Sequence, residues 1–109
     1  MNSVDLEQQE AADILFFEAE GRGGFLDSLE SRRIFDELHW QRLWQAVASL
    51  AHYTNGVLDI WAEYDLSRII DAIQKHSLAL VGRQYSSLDD FERHVLDAAL
   101  FLQNIFSSI

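Results

Sequence analysis

The chain predicts an all-α fold, a compact bundle of five to six helices. Three observations lead there. Leu88, Phe91, Val95, Ala98, Leu102 and Ile105 recur at steps of three, four, three, four and three, which at about 100° per residue aligns them on one stripe of a helix. The 109 residues contain no proline, so a common interrupter of helices is missing. Apolar stripes of the same spacing recur upstream, parted by glycine or by cap-forming residues. The alternative is α+β, with residues 13–19 or 77–82 as one or two short edge strands. Residues 1–109 read as a single acidic helical domain.

Asn2 or Ser3 caps a first helix that runs to Glu20. Its stripe is weak: Val4, Ala11 and Leu15 share a face, while Phe16 and Phe17 point elsewhere. Glu, Gln and Ala on the flanks favour helix over strand. Gly21-Arg22-Gly23-Gly24 ends it, and reads as an interhelical turn rather than a phosphate loop, since the Walker pattern is absent. Asp27, Ser28 or Glu30 starts the next helix.

Between Leu29 and Thr54 the apolar phase changes. Trp40, Leu43, Trp44, Val47, Leu50 and Ala51 hold one face, and Ile34, Phe35 and Leu38 lie off it. The helix therefore breaks near Leu38 to Trp40 or buries two sides. Asn55-Gly56 is a stop signal. Val57, Ile60, Trp61 and Tyr64 form a short stripe, and Leu66, Ile69, Ile70, Ile73, Leu80 and Val81 a second, roughly 160° out of phase. Asp65, a good N-cap, predicts a split between them, and Gly82 ends the second piece. Ser87 and Asp90 resemble a capping box for the last helix. That helix is the one on which the rest is expected to pack.

Eighteen acids against eight bases leave a net charge of −10. Residues 1–20 hold six of the acids, Asp5, Glu7, Glu10, Asp13, Glu18 and Glu20, and no base. Such a surface repels phosphate backbones and anionic lipid, so neither nucleic acid nor membrane is an expected partner. It attracts basic protein surfaces, although acidity also serves solubility alone. There is no cysteine, hence no disulfide and no thiolate site. That composition fits a reducing compartment, and cytoplasmic location is the expectation. The N-terminus lacks the basic start of a signal peptide.

Candidate chemistry is thin. Asp36 with His39, and Asp90, His94 and Asp97, sit at helical spacing, but neither set reproduces a carboxylate-bridged di-metal motif, so no metal or cofactor is expected. No serine stands in a nucleophile elbow. Arg33 and His39, with five residues between them in a helical context, resemble the Arg and His pair of all-helical HEPN-class ribonucleases. That resemblance covers those two positions alone, with Ile34 where the family places a polar residue. It implies RNA cleavage by Arg33 and His39, an activity that the net charge opposes.

The aromatic residues point elsewhere. Trp40, Trp44, Trp61, Tyr53, Tyr64 and Tyr85 exceed what a small core hides, and Leu96, Leu100 and Phe101 fall outside the main stripe of the last helix. Aromatic anchors inside an acidic rim are the anatomy of a protein interface. The expected function is therefore a non-enzymatic acidic binding protein, an inhibitor, immunity or antagonist protein that docks on a basic surface of a partner protein. Its expected contacts are Asp5, Glu7, Glu10, Asp13, Glu18, Glu20, Trp40, Trp44 and Trp61. A homodimer is compatible with the same surface. The alternatives are a subunit or chaperone of a larger assembly, and a metal-dependent or HEPN-like helical enzyme using His39 or His94.

Overall fold

The computed structural model describes the backbone of residues 3–53 and 59–107, and the side chains of residues 8–52 and 59–105. The Asn55-Gly56 stop, Val57 and the side chains of Val4, Asp5, Glu7 and Tyr53 lie outside the described residues. The fold is all-α: four long helices, α1 (Ser3–Glu20), α3 (Glu37–Tyr53), α4 (Ile60–Leu78) and α5 (Asp90–Ser107), with a seven-residue α2 (Phe25–Ser31) and a 3-10 turn at Tyr85–Ser87. Among the described residues there is no strand. Residues 13–19 lie within α1, and residues 77–82 are the end of α4 and its following turns. No described helix is long and apolar enough to cross a membrane.

The first helix, not the last, is the hub. Helix α1 packs against α2, α3 and α4, whereas α5 lies mainly along α4. The reason is legible in its side chains. Ala11, Leu15, Glu18 and Ala19 are buried, and Ala12 and Ile14 pack against the same core. Together they sweep an arc of roughly 160° around the helix, wide enough for neighbours on two sides. Packing on more than one side also explains the weak stripe. An element buried on several faces has no single apolar edge, and alanine lets the neighbouring helices come close.

The break after α2 falls earlier than the sequence predicted, at residues 32–36. Arg33 takes a left-handed conformation, φ 54°, which costs a non-glycine residue about 1–2 kcal/mol. It reverses the chain so that the Ile34 amide donates back to the Ser28 carbonyl at 3.0 Å. The Arg33 side chain offsets the strain: it bonds Asp89 at 3.0 Å and its guanidinium lies 4.7 Å from the centre of the Phe91 ring. Asp36 then caps α3, accepting the His39 amide at 3.1 Å.

The predicted split at Asp65 does not occur. Asp59 caps α4 instead, accepting the Ala62 amide at 2.8 Å, and the helix runs unbroken through Asp65. The phase shift between the two apolar stripes is real, but it is resolved by exposure rather than by a kink. Ile69, Ala72 and Ile73 face the core, while Ile60, Trp61 and Tyr64 face solvent. Asp65 is buried within this helix, and burial raises its carboxyl above the ordinary range, with Glu20 and Asp59 adding to the effect and Arg68 opposing it.

The capping box of α5 is also displaced, from Ser87 to Asp89. The Glu92 amide donates to Asp89 at 2.8 Å and the Asp89 amide donates to Glu92 at 2.9 Å, the reciprocal pattern of the motif. The Glu92 amide, with the Arg33 guanidinium, holds the Asp89 carboxyl below its usual value.

A Cβ at Gly24 would collide with the Phe17 carbonyl and sit 3.1 Å from Glu18 Cα. Gly24→Ala should therefore destabilise the fold by about 1–3 kcal/mol in urea unfolding. At Asp65 the folded-state carboxyl has the higher pKa, so the penalty for ionising it is absent below the unfolded value of 3.8 and complete above the folded one. Asp65→Asn should raise the urea midpoint at pH 7, and the gain should shrink as the pH is lowered toward 3.8.

Candidate functional site

The rings form one continuous cluster that starts inside the protein and ends at its surface. Phe25, fully buried, meets Phe35 edge-on at 5.2 Å and Trp40 at 5.3 Å between ring centres. Trp40 meets Trp44 edge-on at 5.4 Å, and Phe101 of α5 closes against Trp44 at 5.2 Å and Trp40 at 6.0 Å. Such edge-to-face pairs contribute about 0.5–1.5 kcal/mol each beyond burial. The two indoles are thus the outer layer of the core, half-buried rather than sealed.

Their open sides line a hollow of about 380 Å³ with Gln41, Gln45, Ala48 and Phe101. Phe101 is 42% exposed. Two carboxylates stand one helical turn away: Glu37 precedes Gln41 on α3, and Asp97 precedes Phe101 on α5. Glu37 is fixed by His94, whose Nδ1 lies 3.3 Å from its carboxylate and whose ring stacks on Phe35 at 5.4 Å. Asp97 accepts the Tyr85 hydroxyl at 3.2 Å. The Trp44 Nε1–H is buried and finds no acceptor among the described residues, at a cost of about 1–3 kcal/mol.

The expected contact residues divide in three. Trp40 and Trp44 come together, and Glu10 lies in a neighbouring hollow with Arg42 and Ser49 that shares Gln45 as a wall. Trp61 is 77% exposed on α4 and does not line the aromatic hollow. Asp13 is exposed and accepts Gln9 at 3.0 Å, and Glu20 bonds Arg68 at 2.7 Å. Asp5 and Glu7 belong to the side chains outside the described residues.

Glu18 is the exception within the acidic helix. It is fully buried, and both of its oxygens accept from His39 Nδ1, at 2.7 and 2.8 Å. It also accepts the Phe25 amide at 3.0 Å. Gly24, at the N-cap of α2, has no side chain to satisfy that amide, so a carboxylate from α1 serves in its place. Glu18 therefore faces the interior rather than a partner.

The two residues of the ribonuclease-like pair are held by different partners. His39 is held by Glu18 of α1, and Arg33 by Asp89 and Glu92 beside α5. Among the described residues no group of three or more His, Cys, Asp or Glu is arranged to hold a metal ion. A wider hollow of about 820 Å³ lies between the end of α1, α2 and α4. Its wall interleaves Glu20, Asp27, Glu30 and Asp71 with Arg22, Arg68 and Lys75, a mixture that suits no ligand of a single charge sign.

Sequence reasoning marked Trp40 and Trp44 but left out Phe101, the third wall. The signal was present, since Phe101 falls off the main stripe of α5. Removing the partner of a buried charge costs about 3–5 kcal/mol. His39→Ala should approach that loss in urea unfolding, and Glu18→Gln, which keeps the shape and neutralises the charge, should lose less.

No family model, no curated protein and no solved structure matches this chain.

Proposed function

We propose that the chain is a non-enzymatic binding protein of the inhibitor or antagonist kind, which takes a basic side chain of a partner protein into the hollow of Trp40, Trp44 and Phe101. The observation that carries this reading is the meeting of three ring systems at an open hollow with Glu37 and Asp97 one turn away. Aromatic faces attract guanidinium and ammonium groups, by about 0.5–1 kcal/mol when exposed and ~2 when desolvated. The two carboxylates complement the same cation. The net charge of −10 supplies long-range steering toward a basic surface, with Glu10 and Asp13 on the exposed side of α1 contributing.

Binding is therefore a two-part event: diffuse attraction, then insertion of one anchor. Such division is common, because a few buried anchors carry most of the energy of an interface. The partner's side chain must lie flat against an indole, which favours arginine over lysine.

Titrating the full chain with an arginine-rich peptide, followed by tryptophan fluorescence, tests this. A saturable change should appear, weaken as salt is raised, and be absent with a neutral peptide of equal length. Phe101→Ala, and separately Glu37→Gln with Asp97→Asn, should each weaken binding about fivefold, the equivalent of ~1 kcal/mol. Equal binding of the neutral peptide, or no effect of either variant, would refute the reading.

A further inference from the structure

The exposed face of α4 carries a pattern that the aromatic hollow does not use. Trp61, Tyr64, Arg68, Asp71, Lys75 and Leu78 follow one another at steps of three, four, three, four and three, the spacing of a coiled-coil seam. All six are exposed, Trp61 at 77% and Leu78 at 71%. A seam at this spacing with large apolar residues at its ends ordinarily marks a helix's inner side. Here the buried side, formed by Ile69, Ala72 and Ile73, is turned roughly 120° away, and Arg68, Asp71 and Lys75 also edge the hollow between α1, α2 and α4. The outer seam runs about 26 Å along the helix.

We infer that this face pairs with a second copy of the same chain, with the two α4 helices antiparallel about a two-fold axis near residues 69 and 70. The order of side chains argues for that occupant. In an antiparallel seam Trp61 meets Leu78 of the second copy, Tyr64 meets Lys75, and Arg68 meets Asp71, each pair occurring twice. The layers are apolar on apolar, cation on aromatic ring, and cation on anion. A parallel pairing would instead stack arginine on arginine, aspartate on aspartate and lysine on lysine, which is repulsive.

The charged members are available for this. Asp71 and Lys75 form no ion pair with any described residue within 4 Å. Arg68 bonds Glu20 through Nη1, and its remaining donors leave room for a second carboxylate. Pairing through one helix is a small interface, so the dimer dissociates on dilution.

Sedimentation equilibrium of the full chain across a wide concentration range tests the inference. The wild type should show a reversible monomer–dimer equilibrium. Asp71→Arg alone and Arg68→Asp alone each juxtapose like charges and should weaken it by about tenfold or more. Mixing the two variants should restore dimers, as heterodimers, because every arginine then faces an aspartate. Circular dichroism of each variant checks that these exposed substitutions leave the helices intact. Trp61→Ala gives a second, uncharged disruption. A chain that stays monomeric throughout, or a dimer that ignores both charge variants, would overturn the inference. Phe101→Ala should leave dimerisation unchanged, which separates this test from that of the aromatic hollow.

Discussion

A single buried carboxylate ties three helices together. Glu18 comes from α1, accepts the first amide of α2 and is clasped by His39 of α3. A lone ionised group in that position would be expensive, and it persists because each oxygen has a donor. The geometry fixes where α2 starts, how near α3 lies, and which way the Phe25 ring is sent into the core. The glycine turn before Phe25 is part of the same device. Gly24 passes so close to the Phe17 carbonyl that no side chain fits there, and with no side chain the turn cannot cap its own helix.

From that anchor the aromatic cluster grows outward. Phe25 is at its base, Phe35 and Trp40 in the middle, Trp44 and Phe101 at the rim. The cluster, with the His94–Glu37 contact, is how α5 reaches α3, since its apolar stripe is otherwise turned to α4. The price of building the rim from indoles is a buried Nε1–H on Trp44 with no acceptor among the described residues. The rim is therefore both structural and exposed.

The acidic character is not spread as a uniform coat. Glu18 is spent on the interior, and Glu20, Glu30, Asp89 and Glu92 are engaged by Arg68, His76, Arg33 and Arg83. Glu10, Asp13 and Asp71 carry no ion pair among the described residues. Two distinct outward faces result. The rim between α3 and α5 presents rings, and the exposed face of α4 alternates aromatic and charged side chains.

What the sequence determined by itself was the helical class, the extent of α1, the core stripe of α5 and the two-faced character of the α4 region. These are local or periodic properties, fixed by spacing and by glycine and cap residues close in the chain. The tertiary structure alone decided which helix is central, whether the phase shift in α4 becomes a kink or an exposed face, and where Glu18 points. The physical reason is distance along the chain. Glu18 and His39 are 21 residues apart, Arg33 and Asp89 are 56 apart, and no periodicity links such pairs. Arg33 shows the consequence: its left-handed backbone is unfavourable locally and is held by partners that only folding brings near. Trp61 shows the converse, since its stripe was legible, but only packing decided that Ile60, Trp61 and Tyr64 stay exposed.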